Sequence, residues 1–432
     1  MSAPAVVVPD EAPVSSTLRH VTVASKKFAV VFTVMTVVLG LIALLAPREG
    51  NTKFRFSAET DRIVIPSISV PGMQVAWVCL AILVVLTIVS WLLYLAQRPT
   101  PWYAGIVFAL AFLAGFLAWG GAGSVSDFPV VRLVSASVLL AVPIVFGALG
   151  GAIGEKAGVV NIAIEGQLLA SAFVAAVVGS ITKNPWVGLF AAVLAGALVA
   201  LVLGLFAITY RVNQVIVGVV LNVLVLGLTS FMYVQLLVKE ADTLNKTIRF
   251  PAIAIPVLGE IPIIGPALFR QSIIVYLMYL AVPLVWFAMY RTRWGLRLRA
   301  VGEHPLAADT VGIKVERTRY RALVIAGAIV GIGGAYYTLV SVSAFNKNMT
   351  AGAGFIALAA VIFGKWDPVR AAMAALLFGF ASALEGAMSV VGSPVPSQFM
   401  LMLPYVVTLA AVAGLVGRSR APAADGEPYV KE

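Results

Sequence analysis

The residues of this chain that could do chemistry are few, and they sit where a hydrophobic sequence is interrupted. Gly154-Glu155-Lys156-Ala157-Gly158-Val159-Val160-Asn161-Ile162-Ala163-Ile164-Glu165-Gly166 sets three charges, an asparagine and three glycines between two apolar runs. A charge at the centre of a bilayer costs about 2.5–3.5 kcal/mol on insertion scales. Such groups must reach water, pair with one another or face a protein-lined cavity, and irregular backbone is stable at that depth only where protein or a water-filled route covers it. Two readings follow: an ordinary cytoplasmic turn, or a broken helix bordering a translocation route, with Glu155, Asn161 and Glu165 as its polar residues. Val159-Val160-Asn161-Ile162 is apolar enough to dip back into the membrane.

A second break, Ala351-Gly352-Ala353-Gly354, leads through a short apolar run to Gly364-Lys365-Trp366-Asp367-Pro368. Short Gly/Pro-interrupted segments in both halves of a transporter point to its pathway, although small residues also serve close helix packing. Between the breaks, Arg211-Val212-Asn213-Gln214 opens an apolar run that contains Asn222 two turns later. Asn213 and Gln214 fit a helix cap, and Gln214 is also a candidate for the pathway. Asn222 lies deeper, where its amide either bonds a neighbouring helix or faces a substrate.

The third polar feature is 291–321, roughly 30 residues rich in arginine between two long apolar runs. It holds Arg291, Arg293, Arg297, Arg299, Lys314, Arg317, Arg319 and Arg321. Such a cluster marks a cytoplasmic loop. Gly302-Glu303-His304-Pro305 reads as a turn, with proline opening a short helix over 306–310 that Gly312 stops. His304 beside that proline reads as a cap or surface contact rather than a pH sensor. A helix this short must dock on something, which suggests a surface for a soluble partner built on Arg299, Gly302, Glu303, His304, Pro305, Ala308 and Gly312.

The elements that must position these residues are membrane helices. Hydrophobic residues make up 61% of the 432, and charged residues 11%, against about 25% charged in soluble domains. Stretches of about 20 apolar residues fall at 28–46, 73–96, 102–120, 133–153, 166–181, 186–210, 215–238, 272–290, 322–343, 369–384 and 399–416, with a shorter one at 354–364. The sequence therefore predicts an all-α polytopic bundle of about 11–12 spans, one of them short or broken. Lys26 and Lys27 place the N-terminus inside; alternation then puts Arg98, Lys156, Arg211, the 291–321 loop, Lys365 and the Arg418/Arg420 tail inside as well, so both termini are cytoplasmic if 354–364 counts as a crossing. Four regions are expected: a disordered leader (1–27, with Pro4, Pro9 and Pro13), extra N-terminal spans with an outer loop (28–132), a core with the basic loop (133–417), and a cytoplasmic tail (418–432). No cleaved signal peptide is evident. The outer connection 239–271, with Pro251, Pro256, Pro262 and Pro266, is expected to pack as an irregular cap, either a plain solvated loop or a docking surface for an external protein.

The net charge of +11 reads as topology rather than nucleic-acid binding, since the basic residues sit between apolar runs. Cys79 is the one cysteine, so no intrachain disulfide is possible and no metal-ligand cluster is evident; no residue is assigned a catalytic or metal role.

Four ordered stretches carry a resemblance: GEKAGVVNIAIEGQLL (154–169), RVNQVIVGVVLNVLVLGLTSF (211–231), LRAVGEHPLAADTVGI (298–313) and GFIALAAVIFGKWDP (354–368). Together they resemble the inner-membrane permeases of ABC importers, in the family of branched-chain amino acid, ribose-type sugar and nucleoside permeases, and most closely its nucleoside branch. Ala163 stands where that branch usually has glycine, and residues 1 to about 120 have no counterpart in the family core. The resemblance implies a subunit of the bacterial inner membrane that moves a small molecule, surrounded by lipid and paired with a second permease, a different chain, as a heterodimer. It further implies a cytoplasmic ATP-binding subunit docked on 298–313 and a receptor lipoprotein outside. The chain lacks a Gly-x-x-x-x-Gly-Lys-[Ser/Thr] loop, so ATP and magnesium would be used by the partner and no cofactor by this chain. Sugars or branched-chain amino acids are alternative substrates. An ion-coupled secondary transporter would need acids within the helices, for which Glu165 and Glu385 are thin supply. A membrane-embedded enzyme would need a nucleophile–base pair or metal cluster that is not evident.

Overall fold

The computed structural model describes residues 25–57, 63–392, 402 and 420–431. The expected leader up to residue 24, Arg418 and the expected span 399–416 lie outside the described residues, apart from Met402. Among the described residues, ten helices are long and apolar enough to cross a membrane, and each coincides with a predicted span to within a few residues, except that Val315–Ser341 starts seven residues before its apolar run and Pro368–Val390 ends six residues after its own.

The chain divides into two compact units, Met1–Glu49 with Pro71–Trp119 and Gly50–Val70 with Gly120–Glu432. The first holds α1 (Lys27–Leu45), α2 (Gly72–Leu95) and α3 (Trp102–Gly120). Polar side chains among its described residues bond within the unit, as lipid favours: Trp91 Nε1 donates to Thr33 Oγ1 at 2.9 Å, Thr36 and Thr87 share a hydrogen bond at 3.0 Å, and Trp119 Nε1 donates to the Ala46 carbonyl at 2.8 Å. Phe32 stacks on Phe108 at its centre.

The second unit begins with β1 (Asn51–Arg55), which pairs in parallel with β3 (Phe128–Pro129); β2 (Ile68–Pro71) lies on the other side of β1. The helices follow: α4 (Val130–Lys156), α5 (Ile164–Thr182), α6 (Pro185–Gly204) and α7 (Gln214–Met232), the last two each prolonged by a π-helical turn. The 239–271 connection is the expected irregular cap. It contains α8 (Ala241–Leu244), α9 (Ile264–Leu268) and a small antiparallel pair of β4 (Ala252–Ala254) with β5 (Arg270–Ser272). Then come α10 (Ile273–Arg291), α11 (Arg293–Glu303), α12 (Pro305–Thr310), α13 (Val315–Tyr336, also with a π-helical extension), α14 (Ala353–Phe363) and α15 (Pro368–Val390).

Lipid tails are as apolar as leucine, so helices associate in a bilayer through close packing rather than through exclusion of water. In this unit, α6 and α13 meet on glycine. A Cβ on Gly196 would fall 2.3 Å from the Gly327 carbonyl oxygen, and one on Gly331 2.5 Å from that of Ala192. The buried core runs from Val142, Phe146 and Leu149 of α4 through Leu168, Val330 and Ala357 to Phe378 of α15.

The structure corrects one expectation about the 291–321 segment. It is not a loop with a single short helix. Thr292 caps α11 by accepting from the Gly295 amide at 3.1 Å, so Gly302 and Glu303 are helical rather than part of a turn. The segment's last basic residues belong to α13, which starts at Val315, seven residues ahead of its apolar run. Arginine is a good helix former, and hydrophobic runs alone do not reveal helix that continues into water.

Candidate functional site

The α4–α5 interruption is built by a helix stop. The amide of Gly158 donates to the Glu155 carbonyl at 2.9 Å and that of Val159 to the Gly154 carbonyl at 3.1 Å, with Gly158 at φ +81°. This is the Schellman arrangement, which needs a left-handed residue at that position and so selects glycine. Residues 157–163 then continue without regular structure and are mostly buried.

Buried irregular backbone needs partners for its amides and carbonyls; of the five candidate pathway residues, Gln214, Asn222 and Glu165 bond backbone groups, while Asn161 and Glu155 bond other side chains. Gln214 Oε1 accepts from the Val160 amide at 2.7 Å. Asn161 and Gln167 exchange two side-chain bonds at 3.2 and 3.1 Å. Asn222 Nδ2 donates to the Ile162 carbonyl at 2.8 Å, while its Oδ1 accepts from the Gly166 amide at 2.8 Å. Helix α5 has no cap of its own, since Ala163 precedes it; Asn222, on α7, supplies that cap from outside. Of the two readings of Asn222, the bond to a neighbouring segment is the one seen.

Glu165 lies in the first turn of α5. Its Oε1 accepts from Thr350 Oγ1 at 2.6 Å and from the Gly352 amide at 2.8 Å, and its Oε2 from the Gly354 amide at 2.7 Å. The carboxylate thus sits between the positive N-terminal ends of α5 and α14, where backbone dipoles favour an anion. Three donors, two of them backbone amides, explain how an acid is tolerated among apolar helices. Gly354 is glycine because a Cβ there would fall 2.4 Å from the Glu165 amide nitrogen.

Glu155 does the equivalent at the other end of α14. Its Oε2 accepts from the indole Nε1–H of Trp366. Trp366 and Lys365 both have positive φ (+58° and +56°), a conformation uncommon for such side chains. Asp367 then caps α15 by accepting from the Arg370 amide at 3.0 Å, with Pro368 at the first helical position. The interruption therefore flanks α14 from one end to the other, held by a carboxylate at each. Eleven residues of helix rise roughly 16 Å, about half of a hydrocarbon core.

The seven residues predicted in the polar segment also come together. His304 caps α12 through Nδ1, which accepts from the Ala307 amide at 3.4 Å, and Pro305 opens that helix. Gly312, at φ +84°, closes it: its amide donates to the Asp309 carbonyl at 2.9 Å, and that of Ile313 to the Ala308 carbonyl at 3.0 Å. Ala308 is buried with Val301 and Val315. Arg299 lies over the Tyr290 ring with its Cζ 5.1 Å from the centroid. Gly302 packs against the end of α4, since a Cβ there would be 2.2 Å from the Lys156 carbonyl oxygen. Glu303 reaches the Ala423 amide at 3.3 Å. On the open side, Leu296, Leu306 and Val311 are exposed at 62, 43 and 75%.

Sequence reasoning missed Gln167, Thr350, Arg319 and the whole contribution of 420–431. Gln167 lies six residues past Asn161, a spacing that no helical periodicity pairs, and Arg319 was one of many arginines in a basic stretch.

The family model for "branched-chain amino acid transport system / permease component" matches residues 133–412. The chain belongs to this family. It is a transport component and a multi-pass protein of the bacterial plasma membrane. The permease is 41% identical over 308 residues to the guanosine ABC transporter permease protein NupQ of Bacillus subtilis, an alignment covering 69% of this chain and 96% of the relative. It is 35% identical over 317 residues to the nucleoside ABC transporter permease protein NupC of Lactococcus lactis (70% and 98%), and 36% over 309 residues to the putative glucose ABC transporter permease protein TsgC13 of Haloferax volcanii (66% and 92%). The same two bacteria each hold a second, more distant relative: NupP, at 28% identity over 62% of this chain and 77% of its own, and NupB, at 25% over 61% and 75%. No solved structure matches the permease.

Proposed function

We propose that this permease is one of two different membrane subunits of an ATP-driven importer for nucleosides or related purine compounds. The observation that carries the substrate class is the 41% identity to a guanosine permease across 96% of that relative's length. Pairing with a distinct chain rests on the two relatives found in each of two bacteria. A cytoplasmic ATP-binding subunit, using ATP and magnesium, docks on α11 and α12, where Leu296, Leu306 and Val311 are exposed apolar residues in a stretch rich in arginine. A substrate-binding lipoprotein delivers the nucleoside from outside. This chain binds no cofactor and does not hydrolyse ATP.

In this reading α14 and the α4–α5 interruption border the route. Glu165, Gln214 and Asn222 frame it by fixing the irregular backbone, Glu155 and Asn161 by bonding Trp366 and Gln167, and tilting α11 shifts that frame through Gly302. Coupling requires that ATP-bound and ATP-free motors prefer different arrangements of this unit.

Uptake of labelled guanosine, adenosine, glucose and leucine by the reconstituted complex tests the reading. Guanosine or adenosine is expected to accumulate only with ATP and with the receptor present. Accumulation of glucose in their place would move the assignment to sugars, the reading that the 36% identity to a putative glucose permease favours. Uptake by the purified chain driven by an ion gradient would reject it.

A further inference from the structure

The segment 420–431 has no helix or strand, only a turn over residues 423–426, yet Pro422, Ala424 and Tyr429 are buried against the rest of the unit. The Ala424 amide donates to the Gly302 carbonyl at 2.9 Å, filling one of the acceptors that the end of α11 leaves open. Ala423 meets Glu303 of the same helix. The Ala424 carbonyl lies against the interruption, so close that a Cβ on Gly158 would be 3.0 Å from it. Gly426, at φ +82°, lies beside Val160. Tyr429 is buried with Val301 of α11, Ala308 of α12 and Val315 of α13. Lys431 approaches Asp309 of α12 at 3.7 Å, an exposed ion pair that adds little.

Arg319 decides what this seat does. It lies in the second turn of α13 with only 1% of its surface exposed. Burying a guanidinium is costly unless it is paired and hydrogen-bonded, so whatever it bonds holds it in place. Its Nη1 donates to the Glu427 carbonyl of the segment at 2.9 Å, the charges that act on it are Asp425 and Glu427, and its Nε and Nη2 have no hydrogen-bond partner among the described residues. Its Nη2 lies on the other side near Gly158. One side chain thus joins α13, the segment and the interruption.

We propose that residues 420–431 are a third part of the coupling element: a strap, pinned by Arg319, that makes α11–α12 and the α4–α5 interruption move as one body. Without it, Gly302 still packs against the Lys156 carbonyl and the Gly158 amide, van der Waals contacts that can open. With it, Gly302, Glu303, Ala308, Arg319, Gly158 and Val160 share one set of partners. The strap rests on the coupling role assigned to α11–α12 above, and Arg319 is a positioning residue within it.

Two experiments test it. In a Cys79→Ala background, Asp309→Cys with Lys431→Cys should be joined by a short bis-maleimide in the purified chain, whatever the complex transports. No cross-linking would overturn the strap. In the assembled complex, a chain ended after Arg420 should leave ATP hydrolysis by the partner running while substrate moved per ATP falls about five-fold or more, the low end of an allosteric coupling factor. The ratio is read with whichever substrate the full-length complex accumulates, so a wrong substrate class and a wrong strap give different results. An unchanged ratio, or a rise in hydrolysis and uptake together, would overturn it; the second result would make the segment a brake. If the shortened chain does not assemble, Arg319→Met and Tyr429→Ala carry the same expectation, with Arg319→Lys restoring part of the ratio.

Discussion

Glu165 illustrates how one carboxylate can resemble an ion-coupling site in sequence and be a structural fastener in the fold. Its oxygens already accept from Thr350, Gly352 and Gly354. Glu165→Gln keeps an acceptor where Oε1 stands but aims an NH2 at the Gly354 amide. Loss of one charged hydrogen bond costs about 1.5–3 kcal/mol, and Glu165→Ala strands all three donors, at about 1–3 kcal/mol each. The midpoint of thermal unfolding in detergent is expected to fall for Gln and further for Ala, with uptake falling in the same order. Equal midpoints for the two variants would show that the three bonds are not made. Asp425 makes a prediction about pH. Burial pushes its carboxyl up from 3.8 to about 7, against the pull of Arg319, Lys156 and its bond to the Gly426 amide, while Glu155 at the end of α4 and Glu427 face the same cluster. The seated segment therefore binds more protons than the free one. Seating is tightest at low pH, loosens as pH rises from about 4 to 7, and is flat above. A fluorophore on Lys431→Cys, in the Cys79→Ala background, should report weaker seating at pH 7 than at pH 5, with the segment still bound, and Asp425→Asn should remove the dependence.

At the scale of elements, the contact between α11 and the end of α4 is backbone on backbone. In Gly302→Ala the added methyl overlaps the Lys156 carbonyl, with neither neighbour a flexible side chain. Overpacking of this kind costs about 1–3 kcal/mol, and the relief available is for α11 to move away. Uptake is expected to fall sharply while the partner's ATP hydrolysis continues, measured in the same vesicles; parallel loss of both would point to failed assembly instead. Gly312 offers the contrast, since a Cβ there meets open space and the constraint is φ alone. Gly312→Asn should be tolerated and Gly312→Val should not, because asparagine visits the left-handed region and a β-branched residue resists it. These elements also show what the sequence could reveal. The spans, the His304-Pro305 helix start, the stops at Gly158 and Gly312 and the Asp367-Pro368 start are local signals, set by residues within one turn of where they act. Asn222 capping α5, Glu165 binding the start of α14 and Arg319 holding residue 427 join positions 56 to 189 apart. No spacing rule encodes such pairs. The sequence marked those residues only as polar groups that must find a partner.

At the scale of the whole chain, the seated segment bears on topology. Residues 423 and 424 touch α11, so the segment and α11–α12 lie on one side of the membrane, and an even number of crossings separates them. Between them stand α13, α14, α15 and the expected span 399–416. If that span crosses, α14 must count as a crossing too, although its helix covers only half the bilayer. Residues 342–352, irregular and held to Glu165 through Thr350 and Gly352 at their end, connect α13 to α14 and make up the rest of the crossing, where the exposed Asn346, Lys347 and Asn348 need water. Counting on from Lys26 and Lys27 then places 291–321, Lys365 and 420–431 inside and the 239–271 cap outside. In a Cys79→Ala background, cysteines at Leu306 and Val311 should react with a membrane-impermeant maleimide only in inside-out vesicles, and one at Val257 only in intact cells; all three positions are exposed. Labelling of Leu306→Cys from outside would reverse the orientation and remove the surface on which a cytoplasmic ATP-binding subunit must dock.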